Sequence, residues 1–593
     1  MLIRLNGLLK NHRAVANWLL VLVIVAVFRG MLANGFAYDD GRQVLDNPFV
    51  RNARLWRRIF TGSVWSFQGA EAGANFYRPL HIFSHWLVWR VAGPNPGAFH
   101  FYQLVFYVVT ALLVYRLGCE LFENHLAAFV GVLLWVLHPL HVEPVCWIAA
   151  VPDVGCTLFY VLAFLFFLRA ERAPRGRWGW HTVAAVAFSL ALLFKETAIS
   201  FPLLLCAYWS VLGKQESWWQ RGLRWLPYGL VTGVYLEIRV MILGHITHAP
   251  HLWRVPPRIA EAAVGLLGQH AKLFFWPTQL SPFRTFELAP GLLSPWPWTT
   301  LFVLGLALTL RRRDPILRFL ILWWGVTLLP CLDVRQLSIP LLAERFSFLP
   351  SVGACLAVAR FLVGILPEWI PDRRPVRVLI PALGLVLILF AWEDLNAVPR
   401  WRNNDALWNY SYRVSSQSAL VHVHRALDLQ YRNADLAGAA QEYEAALQLN
   451  RESFVRWPSV TYDCLVGLGQ IAYARGHADK AVVYFQKAVD LTPHCSVAYD
   501  ALGSVYFPRG EYSRAAEYFQ QAVGVNSQDV IARFFLGTCW LKLGKPAQAA
   551  GEFRAAREVD PDYFQAYEAE ARALEAGGDQ VGAARVRRLI PRP

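Results

Sequence analysis

Nine cysteines are scattered through 593 residues, with no CxxC pair and no Cys/His spacing suited to a metal. Neither a disulfide framework nor a structural zinc site is written in this chain. Cys206, Cys331 and Cys355 lie inside apolar runs and read as small buried hydrophobes, while Cys464, Cys495 and Cys539 fall in the C-terminal part. There is also no compact basic domain with a base-reading motif. The formal net charge is +15, but most Lys and Arg sit in short clusters between apolar segments, as in loops beside anionic lipid. Nucleic acid is therefore not an expected partner.

What the chain has is apolar length: 56% hydrophobic residues and 25 Trp describe a polytopic membrane protein with a soluble part attached. Arg4, Lys10 and Arg13 precede an apolar run from Ala14 to about Phe36. A signal-peptide core is roughly 7–15 residues, so this longer run is expected to be a retained first span with its N-terminus inside. Further spans are expected near 99–118, 126–148, 154–169, 180–195, 197–213, 225–243, 295–310, 316–331, 345–366 and 376–395.

Arg172, Arg175 and Arg177, then Lys214, Arg221 and Arg224, then Arg311–Arg313, then Arg373, Arg374 and Arg377, fall in connections placed inside. The stretch 259–281 holds Glu261, His270 and Lys272 and would invert every later loop if it crossed; it is read as interfacial or re-entrant. That leaves about 11 transmembrane helices and an external C-terminus. Arg51, Arg54, Arg57 and Arg58 among Trp56, Ile59, Phe60 and Trp65 suit a segment lying in the headgroup layer.

After Trp401 the composition turns to short amphipathic helices with a repeat. Gly476, Gly510, Gly544 and Gly578 are 34 residues apart; Ala481, Ala515, Ala549 and Ala583 keep the same period, as do Phe485, Phe519 and Phe553. This is the tetratricopeptide pattern: Gly at the turn, Ala where helices approach, an aromatic filling the layer. A degenerate unit with Ala439, Tyr443 and Ala446 precedes it, separated by an insertion of about eight residues. The expected domains are 1–400 in the membrane and 401–593 as repeats.

Several polar motifs fall at external span ends under this topology: Asp39-Asp40, Tyr77-Arg78-Pro-Leu, His138-Pro-Leu-His141-Val-Glu143, Asp153, Lys195-Glu196, and Glu344-Arg345 within Ala343–Pro350. An ionised side chain deep in a bilayer costs roughly 2.5–3.5 kcal/mol, so their gathering at one face points to a shared polar cavity. Each has a structural alternative. Arg78 before Pro suits an interface anchor, Lys195 a buried ion pair with Glu196, Arg345 a pairing with Glu344 or another acid, and His138 and His141 satisfied polar residues at a kinked span end. Pro139 and Pro144 break the spacing that would align His138, His141 and Glu143 on a metal.

In their order, these motifs followed by tetratricopeptide repeats resemble the transmembrane and tetratricopeptide-repeat O-mannosyltransferases, within the protein O-mannosyltransferase-like group. The resemblance spans essentially the whole chain. It implies an all-α GT-C fold and an inverting glycosyltransferase that takes a sugar, mannose or a similar hexose, from a polyprenyl-phosphate carrier to Ser/Thr hydroxyls of proteins on the outer face. Asp39 matches the acid assigned as base, with Asp40 its companion. Where many relatives read Gly-Arg-Ala-Asp, this chain has Ala150-Val-Pro-Asp153, without the Arg.

The residues agree with that class. A positioned carboxylate activates a poorly nucleophilic hydroxyl, and Arg345, Lys195 and Arg78 are candidates to stabilise the departing phosphate. Tyr77, His138, His141, Glu143, Asp153, Glu196 and Glu344 would support the cavity. A divalent metal is left open, since GT-C members divide on it. The repeats are expected to hold a protein or peptide acceptor. The alternatives are a polysaccharide or lipid glycosyltransferase, an O-antigen-ligase-like enzyme, or a repeat scaffold anchored in the bilayer. The expected setting is a bacterial inner membrane with periplasmic repeats, or the endoplasmic reticulum with lumenal repeats in a eukaryote.

Overall fold

The structure is a computed structural model and describes residues 2–68, 76–214, 216–245, 256–284, 298–299, 305, 314–332, 341–366, 374–453 and 456–590. The chain divides into two compact units, one of residues 1–63 and 75–415, the other of 64–74 and 416–593. Both are helical, and no strand occurs among the described residues.

The first unit is built from apolar helices that begin where the sequence supplies a start signal. Asn95 accepts from the Gly97 N–H just before the helix Pro96–Leu121, and Asn124 accepts from Leu126 and Ala127 before His125–Val136. Proline stands at the first helical positions of Pro79–Ala92 and Pro96–Leu121, where its missing N–H costs nothing.

Among the described residues, seven helices are long and apolar enough to cross a membrane: Arg13–Ala33, Pro96–Leu121, Ile148–Arg172, Trp218–Leu243, Pro315–Leu332, Glu344–Ile365 and Val378–Trp401. An eighth is broken: His125–Val136 and Pro139–Cys146 meet at 55°, because Pro139 cannot continue the first helix. The spans expected at 180–195 and 197–213 are the helices Arg177–Phe194 and Glu196–Val211, the latter short. The stretch read as re-entrant forms the helix Pro256–Phe275. The span expected at 295–310, with Arg311–Arg313 and Arg373, lies outside the described residues, apart from isolated positions.

Trp18, Leu22, Val234 and Ile388 turn outward from their helices, as apolar side chains do where lipid replaces water. Cys331 and Cys355 are buried as expected, but Cys206 is exposed. A thiol on the outer face of an apolar helix loses nothing against hydrocarbon, so the sequence pattern could not separate the two environments.

In the second unit, five helix pairs run from Ala419–Tyr431 with Leu436–Glu452 to Phe564–Ala576 with Gln580–Arg588. Ala481, Ala515 and Ala549 are fully buried, and Phe485, Phe519 and Phe553 fill the layers between helices. Gly476, Gly510, Gly544 and Gly578 all have φ between +71° and +88°, the left-handed helix-end conformation that glycine adopts without a Cβ clash. In the degenerate first unit Ala434 takes that role at φ +52°.

A second glycine register escaped the sequence reading. A Cβ on Gly469, Gly503 or Gly537 would come within 2.8 Å of the ring of Phe485, Phe519 or Phe553. Gly503→Leu is therefore expected to destabilise the repeats by about 1–3 kcal/mol through overpacking. Val483→Ala on the exposed face should stay within about 0.5 kcal/mol. Thermal melting of the full chain followed by circular dichroism compares the two.

Candidate functional site

The two adjacent aspartates have different surroundings. Asp40 is 1% exposed, and its two carboxylate oxygens accept from the Ala37 N–H at 2.9 Å and the Ala149 N–H at 2.8 Å. It ties the loop after the first span to the turn Trp147–Ala150, which exists because the broken span ends at Cys146. Burial pushes its carboxyl up to about 8, against the pull of those backbone N–H groups.

Asp39 is partly buried and accepts no hydrogen bond among the described residues. Burial pushes it up to about 6, with Arg42 and Arg345 pulling in the other direction. A carboxylate that titrates near neutral pH and has unclaimed lone pairs is suited to take a proton.

Tyr38 sets the direction of both acids. It has φ +55°, an uncommon conformation for a residue with a side chain and one that costs about 1–3 kcal/mol. Its N–H donates to Asn404 Oδ1 at 2.6 Å, and its ring packs against Trp147, Phe283 and Trp408 with centroids 5.0–5.5 Å apart. Those contacts hold the strained turn.

Arg345 anchors the centre of the site. Its backbone N–H donates to Glu143 Oε2 at 3.0 Å, its guanidinium pairs with Glu143 Oε1, and it lies over the rings of Trp147 and Phe346 at 5.2 and 5.1 Å. Lys195, 4% exposed, pairs with Asp153 at 2.5 Å. Arg78 grips Glu196 with two hydrogen bonds of 2.8 and 2.5 Å. Glu344 accepts from the Ser281 N–H at 2.6 Å and from Arg284 Nε at 3.1 Å. The expected neighbours in sequence are thus not the partners: Lys195 does not pair with Glu196, nor Arg345 with Glu344.

The described structure holds a narrow cavity to which Asp153, Lys195, Arg345, Thr197 and Phe346 contribute, with Cys156 and Cys331 on its wall. Two cations and one carboxylate line it, and Glu143 balances Arg345 from just outside the lining. Arg78 lies behind Lys195, within electrostatic reach of Asp153. The structure therefore brings Arg345, Lys195 and Asp153 together, with Asp39 in the field of Arg345.

It does not bring His138 and His141 to that wall. His138 contacts the Phe274 carbonyl at 3.0 Å and stacks on its ring; His141 meets Ser351 Oγ at 2.9 Å. Both are satisfied core residues at the kink. Tyr77 donates to the Phe60 carbonyl at 3.2 Å and so points away from the cavity lining. Among the described residues, no three His, Cys, Asp or Glu side chains converge as a metal site.

Three contributors were missed in the sequence. Trp147 lies just past the His138–Glu143 motif, so extending it by a few residues would have found it, whereas Asn404 follows only the composition change at Trp401. Arg284 sits in irregular chain with no pattern to mark it.

A helical membrane domain with a charged cavity at its span ends, joined to a repeat array, defines the class, and two family descriptions match it in succession. Residues 78–238 match "Dolichyl-phosphate-mannose-protein mannosyltransferase", and residues 425–494, 501–556 and 541–588 match "Tetratricopeptide repeat". Protein O-mannosyl-transferase TMTC3 of Mus musculus is 24% identical over 509 residues, 80% of this chain and 51% of that protein. TMTC1 of Homo sapiens is 26% identical over 486 residues, 70% of this chain and 53% of that protein, and Tmtc2 of Drosophila melanogaster is 30% identical over 193 residues, 31% and 20%. The chain spans about half the length of the relatives that align with most of it. These matches bear out the resemblance to the transmembrane and tetratricopeptide-repeat O-mannosyltransferases.

Proposed function

We propose that this chain is a membrane glycosyltransferase that moves a hexose, mannose in the leading reading, from a polyprenyl-phosphate carrier to Ser/Thr hydroxyls of proteins, with inversion. The observation that carries the reading is Asp39: a carboxylate with unclaimed lone pairs, in the field of an arginine that lines a charged cavity with Lys195.

In this reading Asp39 accepts the proton of the attacking hydroxyl as oxygen bonds to the anomeric carbon. The bond from that carbon to the phosphate oxygen breaks, and the carrier phosphate leaves with the electron pair. Arg345 and Lys195 stabilise the charge it gains, and a water-poor wall strengthens both interactions. Lys195 has N–H groups beyond the one given to Asp153, and these remain for phosphate. Single displacement needs no covalent enzyme intermediate. Asp40 acts as the anchor that holds the loop, and Glu143, Asp153 and Glu196 keep the cations in place. The basic connections support a site on the outer side, periplasmic in a bacterium and lumenal in a eukaryote.

One observation favours a scaffold instead: Arg78, Lys195 and Arg345 each already have a carboxylate partner, as in a purely structural network. Purified protein given polyprenyl-phosphate mannose and a Ser/Thr peptide separates the two, because a scaffold adds no hexose under any condition.

The repeat unit is assigned to hold the acceptor on its concave surface, raising its local concentration. Removing the residues after 415 is expected to depress transfer to a folded protein at least tenfold more than transfer to a short peptide, since effective concentration alone is worth about 10²–10⁴ in avidity. Equal losses on both acceptors, measured side by side, would contradict that assignment.

A further inference from the structure

The helix Pro79–Ala92 begins directly after Arg78 and buries two histidines one turn apart. His81 and His85 are each 1% exposed, with rings edge to face and centroids 4.7 Å apart. A neutral imidazole carries one N–H donor and one acceptor nitrogen. Among the described residues, neither ring nitrogen of His81 has a hydrogen-bond partner, while His85 is drawn to the Ile148 backbone. Buried polar groups are rarely left so, and a buried imidazole with neither nitrogen engaged calls for a partner from outside the fold.

Their surroundings say what kind of partner. The His81 backbone N–H donates to the Arg78 carbonyl at 3.1 Å, so His81 stands in the first turn after that arginine. Arg78 and Lys195 are the cations whose fields act on it, and His85 lies against the Ile148 backbone, one residue before the Ala149 N–H that holds Asp40. The pair therefore lies between the candidate phosphate clamp and the loop of the candidate base. A metal cation between the rings would be repelled by Arg78 and Lys195, and no third ligand converges there among the described residues. An anionic oxygen is attracted by both cations and can take the imidazole N–H. Arg78 keeps 15% of its side chain accessible, so an anion reaching it stands within one helical turn of His81.

We propose that His81 is a further binding residue of the donor site, giving its imidazole N–H to a phosphate oxygen of the lipid carrier, with His85 packed edge-on to fix the ring. The proposal rests on the donor-site reading above. It adds a neutral donor to the charged clamp, on a helix that contributed only Arg78 before.

Binding of sugar-free polyprenyl phosphate to the full chain in lipid nanodiscs tests it, with inorganic phosphate as a competing probe and ligand-free melting as the control for folding. His81→Met, which keeps bulk but has no donor, is expected to weaken binding of the lipid phosphate by about tenfold or more, the scale of one hydrogen bond to a charged group. His81→Gln, which keeps a donor, is expected to stay within about threefold of the parent, and inorganic phosphate should compete less well in His81→Met than in the parent. Equal binding by His81→Met and the parent, with the parent still binding, would overturn the proposal and leave the donor-site reading standing. No binding of either probe by the parent would remove both. Loss of lipid binding with competition by inorganic phosphate unchanged would put His81 on the polyprenyl chain and overturn the phosphate contact.

Discussion

Asparagine in place of Asp39 is expected to slow transfer by about 10²–10⁴, the usual contribution of a positioned general base, while binding of the lipid phosphate stays close to that of the parent. The side chain is nearly isosteric and accepts no hydrogen bond in the described structure, so its loss should not unfold the loop that Asp40 and Tyr38 hold in place. The same assignment fixes a pH dependence. Burial raises the Asp39 carboxyl to about 6, and only its ionised form can take a proton. The parent kcat/KM should therefore fall as pH drops through about 6 and level off above it. In Asp39→Asn that acid limb should disappear along with most of the rate. A residual rate that keeps the same limb would point to another group as the base.

Truncating Arg345 to alanine is expected to cost the membrane unit much of its stability. It leaves Glu143 buried without its counter-charge, which typically costs about 3–5 kcal/mol. The double variant Arg345→Met with Glu143→Gln removes the charges together, and most of that loss should return, because apolar replacement of a buried pair is often neutral. Transfer should not return with it, since the cavity has still lost one of its two cations. Melting of the three proteins beside their turnover reads both effects. If turnover recovers with stability in the double variant, Arg345 serves the fold alone and has no part in holding the donor.

The repeat array was legible in the sequence because its period forces it: a fixed spacing of Gly, Ala and Phe reports the same turn, approach and filling at every unit. The apolar spans were legible for the same kind of reason, since length and composition are local properties. The gathering of polar motifs around one cavity was legible for Asp153, Lys195 and Arg345, all of which stand at span ends.

Pairing was not legible. Lys195 and Glu196 are neighbours with opposite charges, yet Lys195 has the extended conformation that sends successive side chains to opposite sides, so one reaches Asp153 and the other Arg78. Arg345 finds Glu143 from 202 positions away, a contact that only the packing of the broken span against Glu344–Ile365 creates. His138 and His141 had two readings in the sequence, cavity members or satisfied residues at a kinked span end, and the kink that Pro139 imposes holds both in the core. Tyr38 is a third case: nothing in Ala37-Tyr-Asp-Asp40 announces a left-handed residue, and the aromatic cluster that stabilises it comes from three distant segments.

The central claim is that Asp39 delivers a hydroxyl nucleophile to a phosphate-linked sugar held by Arg345 and Lys195. The measurement that meets it most directly is the intact mass of a Ser/Thr acceptor after incubation with the purified full-length protein and polyprenyl-phosphate mannose, run in parallel with Asp39→Asn. One hexose added by the parent and none above background by the variant is the expected result. Hexose added equally by both would take the reaction away from Asp39, and an acceptor left unmodified by the parent would leave the charged cavity as a structural network.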